Sequence, residues 1–153
     1  MWNEKDFKID VNSLERFIAA QENTYERALE EVKNGRKRSH WMWYIFPQLR
    51  GLGESEMAYI YGISGADEAK AYLADPILSK RLVEICEALL KHTDKSAYGI
   101  FGDIDEMKLK SSMTLFALVS EDESVFQRVL DAFFAGERDV VTVSILKSRE
   151  EKR

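Results

Sequence analysis

Only one segment of this chain reads as a β-strand, and a lone strand has nothing to pair with. Residues 140–146, Val-Val-Thr-Val-Ser-Ile-Leu, are rich in the β-branched side chains that favour a pleated ladder. No second run of that kind occurs, and an unpartnered strand leaves its backbone groups unsatisfied. The segment is therefore expected to be a terminal helix, capped by Asp139. With that exception resolved, the chain is expected to be all-α, a compact single domain of seven or more mostly short helices.

Helix-start signals punctuate the rest. Asn12-Ser-Leu-Glu15 has the form of a capping box, and Asn23-Thr-Tyr-Glu26 repeats it, so a break is expected near residues 21–23. The second helix should run to Lys33, with Tyr25, Ala28, Leu29 and Val32 inward and Gly35 as terminator. Ser39 is the expected cap of a helix over 40–46, which Pro47 must end. Ser55 and Ser64 precede short helical patterns at 56–61 and 66–74. Asp75-Pro76 combines an acceptor at the cap with proline at the first helical position. It opens an amphipathic helix to about Lys91, with Leu78, Leu82, Ile85, Leu89 and Leu90 as its stripe. Ser96 should cap a turn to Phe101, Asp103-Ile-Asp-Glu106 should open a helix to about Val119, and Asp122 another to Phe134, closed by Gly136. A flexible arm over residues 1–11 and a charged tail over 149–153 flank the domain at 12–148.

Composition sets outer limits. At 153 residues the chain is long enough to bury a core without staples, and 45% apolar with 32% charged residues is ordinary for a globular domain. Its formal net charge of −5 argues against a dedicated duplex nucleic-acid binder. The start lacks an apolar signal-peptide core, and no stretch approaches the ~18 apolar residues that span a bilayer, so a soluble, cytoplasmic protein without membrane partners is expected. The single cysteine, Cys86, lies in a helical run and reads as a buried small hydrophobe. No Cys/His spacing suggests a metal, and no cofactor motif is present.

Against this acidic background, two stretches lack acids. No Asp or Glu lies between Val32 and Gly53, where Arg36, Lys37, Arg38 and Arg50 accompany His40, Trp41, Trp43, Tyr44 and Phe46. Most of these aromatics should be core. Trp43 is the ring expected at the surface, able to stack on a ligand. Arg36 and Arg38 beside a helix start at Ser39 would offer guanidinium forks, free backbone N–H groups and the positive end of the helix dipole to an anion. The other reading is a solvated basic turn paired with Glu30 and Glu31. The second acid-free stretch runs from Met107 to Ser120. There Lys108, Ser111 and Ser112 share a helix face and could grip phosphate or carboxylate. Alternatively, the serines simply permit close helix packing. His40 could act as general acid or base, or sit hydrogen-bonded in the core. Asp103 and Asp105 fit a capping role.

The block Gly35-Arg36-Lys37-Arg38-Ser39-His40-Trp41-Met42-Trp43-Tyr44-Ile45-Phe46-Pro47-Gln48-Leu49, followed by Gly51-Leu52-Gly53 and by Lys108-Leu109 with Ser111-Ser112-Met113-Thr114-Leu115-Phe116, resembles a bacterial all-helical family catalogued as a domain of unknown function, some of whose members carry a calpastatin label. Further matches, from Arg16-Phe17 to Phe133-Phe134, extend the resemblance over nearly the whole chain. It implies a compact helical domain and no activity. Nothing in this sequence supports protease inhibition. Asp75 stands before Pro76 where many relatives carry histidine, so the resemblance brings no metal or catalytic role to that position.

Three functional expectations follow. The first is a site for a small anionic ligand, phosphate- or carboxylate-bearing, with nucleotides among the candidates. It would be built from Arg36, Arg38, Ser39, Trp43, Gln48, Arg50, Lys108, Ser111 and Ser112. The second is a hydrolase or transferase using His40 at that site. The third is an adaptor that binds another protein or itself as a homodimer, through an exposed apolar patch of about several hundred Å².

Overall fold

Helix α8, Asp103–Leu118, carries the core. Leu109 and every residue from Ser111 to Ala117 are buried. Its second half, enclosed on all sides, shows no amphipathic stripe, and small Ser111, Ser112, Thr114 and Ala117 let its neighbours approach closely. The computed structural model describes residues 9–152 of the chain. The arm expected over 1–11 lies, up to residue 8, outside the described residues.

Around α8, the chain forms α1 Glu15–Glu22, α2 Tyr25–Lys33, α3 Met42–Ile45, α4 Glu56–Ile60, α5 Ala66–Ala74, α6 Pro76–Leu89, α7 Ala97–Phe101, α9 Val125–Phe134 and α10 Val140–Glu151, with a 3₁₀ turn at Leu90–His92. Among the described residues there is no strand. An isolated parallel bridge joins Leu49 to Ile63, its bonds running from Arg50 N–H to the Ile63 carbonyl (2.8 Å) and from Ile63 N–H to the Gln48 carbonyl (2.9 Å). That bridge pins the loop after α3 beside the turn after α4.

Caps formed where an acceptor side chain stands directly before the first helical turn. Ser55, Asp75, Ser96 and Asp139 each accept from a backbone N–H two or three residues on. The terminal segment is accordingly a helix, and it continues to Glu151. Other start signals were displaced. Helix α1 begins at Glu15, and Asn12 makes no cap. Gly65 rather than Ser64 stands at the α5 cap, and Ser124 rather than Asp122 caps α9. Gly35, at φ +73°, reverses the chain after α2.

Helices α8 and α9 pack most extensively, α2 lies on α6, and α7 on the start of α8. Phe17, Tyr72, Phe116 and Phe126 form a continuous aromatic column through the middle. Trp41 and Phe46 are buried against Phe101. Two polar groups are enclosed with full complements of partners. Arg16 donates to the carbonyls of Ser13, Ile60 and Gly62 and pairs with Glu68 at 2.9 Å. Gln21 donates to the Tyr44 carbonyl and the Tyr72 hydroxyl and accepts from Arg81. Cys86 is fully buried beside Met113, and burial pushes its thiol far above the ordinary range.

Candidate functional site

The basic loop after α2 already surrounds an anion, and it is the protein's own. Glu31, on the last turn of α2, is buried. Its Oε1 accepts from the Arg38 N–H (2.7 Å), the Ser39 N–H (3.0 Å) and the Trp41 indole N–H (2.9 Å). The Ser39 hydroxyl donates to Oε2. Burial acts to raise the Glu31 pKa, but these bonds from Ser39, Arg38 and Trp41 outweigh it and hold the carboxyl at about 2. Ser39 therefore does not cap a helix. Helix α3 starts three residues later, has four residues, and receives no side-chain cap. The backbone N–H groups expected to await a ligand are consumed by Glu31.

The loop's side chains divide between the two sides of the chain. Arg36 and Arg38 are exposed, Lys37 between them is half-buried, and His40 is exposed. Lys37 turns inward. Its backbone N–H donates to the Ile100 carbonyl (2.8 Å), its ammonium group lies 5.0 Å from the Trp41 ring centre, and it pairs with Asp105 at 2.9 Å. Asp105 also stands 3.8 Å from Lys108, one turn along α8. One carboxylate thus joins a lysine from each acid-free stretch. Among the described residues Arg36 and Arg38 make no ion pair.

The two stretches do meet, further along. The Lys108 ammonium group lies 5.1 Å from the Trp43 ring centre, a cation–π contact. Ser111 Oγ donates to Gln48 Oε1 at 2.7 Å. With Tyr61 and Gly62, the residues Trp43, Gln48 and Lys108 line a crevice of about 10 Å³, room for roughly a single water. Gly62 is required there, because a Cβ would lie 2.6 Å from the Arg50 Cα.

Two expected members stand elsewhere. Arg50 donates to the carbonyls of Tyr59 (3.1 Å) and Val11 (2.6 Å) and lies over the Tyr59 ring, while its own carbonyl accepts from Arg149. It ties the loop to the chain termini instead of closing a pocket. Ser112 is fully buried and its hydroxyl has no partner among the described residues. It serves as a small residue in the tightly packed α8. Conversely, Asp105 and Lys37 belong to the site and were not expected in it. The i,i+3 spacing of Asp105 and Lys108 was the available signal. Glu31 was expected as a partner of the basic turn, but it pairs with backbone N–H groups, the Ser39 hydroxyl and the Trp41 indole rather than with the arginine side chains. Among the described residues no group of three His, Cys, Asp or Glu side chains is placed to hold a metal ion.

The sequence matches, over residues 11–146, the family described as a protein of unknown function (DUF1810). This agrees with the resemblance carried by the Gly35–Gly53 and Lys108–Phe116 runs, and the chain belongs to that family. It is similar to the crystal structure of the conserved hypothetical protein Rv1873 from Mycobacterium tuberculosis, at 44% identity over 90% of this chain and 99% of that one, with a TM-score of 0.87. No curated protein matches.

Proposed function

We propose that this member of a family of unknown function binds a small phosphate- or carboxylate-bearing ligand at the mouth of the α3–α8 crevice. One observation carries the proposal: the Lys108 ammonium group sits over the Trp43 ring, at the place where the Gln48–Ser111 bond joins the two acid-free stretches. The groups offered there are donors. Lys108 has three N–H bonds, and Gln48, its oxygen occupied by Ser111, presents its amide nitrogen. Trp43 adds a half-exposed aromatic face. The crevice is too narrow to enclose a ligand, so the anion is held at the rim, and Lys108 exchanges its long 3.8 Å contact with Asp105 for the ligand. Arg36 and Arg38 act from outside by raising the local anion concentration.

The test is a titration with inorganic phosphate, nucleoside monophosphates, sugar phosphates and small hydroxy-carboxylates, followed through the Trp43 indole resonance. Saturable binding that Lys108→Ala abolishes is expected. Arg36→Ala should weaken it only at low ionic strength. Absence of a saturable shift with any of these anions refutes the proposal.

A second reading, self-association, is favoured by Tyr98, Ile104 and Met107, which are 62%, 68% and 69% exposed on the adjacent helices α7 and α8. It expects a concentration-dependent dimer in sedimentation that Ile104→Lys dissociates. A monomer at all concentrations rejects it. His40 is exposed with no polar partner among the described residues, so nothing aims its ring at the crevice as the hydrolase or transferase reading requires.

A further inference from the structure

Helices α5 and α10 both pack on α8 but barely touch each other. The gap between them is a groove of about 300 Å³, thirty times the room in the α3–α8 crevice and at the lower end of the range for small-molecule sites. Its floor is aliphatic. Leu118 and Val119 come from the end of α8, and Val143 and Leu146 from one face of α10. No aromatic ring lines it, and no hydroxyl or amide side chain either.

Charge enters only at the edges. Lys70 stands on the α5 wall and Lys147 on the α10 wall, both exposed, and neither forms an ion pair among the described residues. Glu150 lies one turn beyond Lys147. The side chains that line the groove thus include two ammonium groups and one carboxylate.

This arrangement discriminates among ligand classes. A sugar or nucleotide brings hydroxyls and ring nitrogens that the aliphatic floor cannot satisfy, and buried unpaired polar groups are costly. A neutral hydrocarbon would leave the two lysines unused. An aliphatic chain ending in one negative group matches both parts. We propose that the α5–α8–α10 groove binds a short-chain aliphatic monocarboxylate, its chain on the Leu118–Val119–Val143–Leu146 floor and its carboxylate held by Lys70 and Lys147. This site is separate from the α3–α8 crevice and does not depend on that reading.

The experiment is a methyl-NMR titration of the full chain with the straight-chain acids from butanoate to dodecanoate and with their methyl esters. Each added methylene buried on the floor should tighten binding about fourfold, until the groove is filled and the affinity levels off. Shifts that grow with chain length should localise to Leu118, Val119, Val143 and Leu146, whereas the Trp43 indole should show no dependence on chain length. The esters, and the acids with a Lys70→Ala/Lys147→Ala variant, should bind at least tenfold more weakly. Val143→Phe, which fills a half-exposed position on the floor, should block binding while leaving the folded spectrum intact. The proposal is overturned if acids and esters bind equally, or if shifts spread over the surface without saturating. It is equally overturned if the groove methyls are already covered by a second copy of the chain in the free protein.

Discussion

Removing the Glu31 carboxylate should separate the geometric from the electrostatic part of the loop's stability. Oε1 takes three of the four bonds, from Arg38 N–H, Ser39 N–H and the Trp41 indole, and Oε2 takes only the Ser39 hydroxyl. Glu31→Gln can keep its oxygen at the Oε1 position and turn its amide nitrogen to Ser39, whose hydroxyl then accepts. All four contacts survive, and only the charge is lost. The expected cost is the difference between charge-assisted and neutral bonds, about 1–2 kcal/mol. Glu31→Ala also leaves the indole N–H of the fully buried Trp41 without a partner, adding about 1–3 kcal/mol. Its total should reach roughly 3–4 kcal/mol, or roughly 10 °C in Tm for a chain of this size.

Acid supplies the internal control. The folded carboxyl titrates at about 2, below the 4.5 of a free glutamate. A depressed carboxyl contributes stability that is complete above the unfolded pKa and is lost as pH falls through the folded one. Linkage sets an upper limit of about 3 kcal/mol for the wild-type carboxyl, and the neutral bonds that Gln retains leave about half of it as the gap. Urea unfolding at pH 7 and at steps from pH 5 to pH 2.5 should therefore show the gap between wild type and Glu31→Gln closing on acidification. A Gln variant as unstable as the Ala variant at pH 7, or a gap insensitive to acid, would refute the assignment of Glu31 as the anion that the loop folds around.

Three further outcomes are expected in the same unfolding assay. Arg16→Met should cost about 3–5 kcal/mol, because it strands Glu68 and three carbonyls inside the fold; adding Glu68→Leu should recover part of the loss. Asp75→Ala should cost about 1 kcal/mol by removing the acceptor for the N–H groups of Ile77 and Leu78, whereas Asn12→Ala, at an exposed residue whose side chain caps nothing, should stay within about 0.3 kcal/mol. Gly62→Ala should cost about 2–3 kcal/mol, since its Cβ would press on the Arg50 backbone at 2.6 Å and open the Leu49–Ile63 bridge that positions Gln48.

The legible parts of this fold are those settled within one helical turn. Asp75, Ser96 and Asp139 cap where they should because acceptor and N–H are neighbours in the chain, and no distant group competes for either. The sequence also excludes a sheet, since residues 140–146 have nothing to pair with. Ser39 has the same local credentials, yet its hydroxyl and N–H go to Glu31, eight residues back and across a turn. The tertiary partner is a charged acceptor, so it wins over a cap. The central helix was equally hidden. The aromatic block looks like the natural core element, but α8 occupies that position because its serines, threonine and alanine let other helices close on it.

The same distinction governs the candidate site. A stretch without acids is acid-free only along the chain. In space the first stretch receives Glu31 at its backbone, and both stretches share Asp105 between Lys37 and Lys108. Lys37 and Lys108 share one carboxylate, and Arg36 and Arg38 form no ion pair among the described residues. The positive charge is split, because Arg36 and Arg38 are exposed while Lys37 turns in. What remains for a ligand is Lys108, held over Trp43 and only loosely engaged by Asp105. Recognition at this site is therefore a competition between an internal carboxylate and an external anion for one ammonium group, and replacing Asp105 with Asn should tighten every anion that binds there.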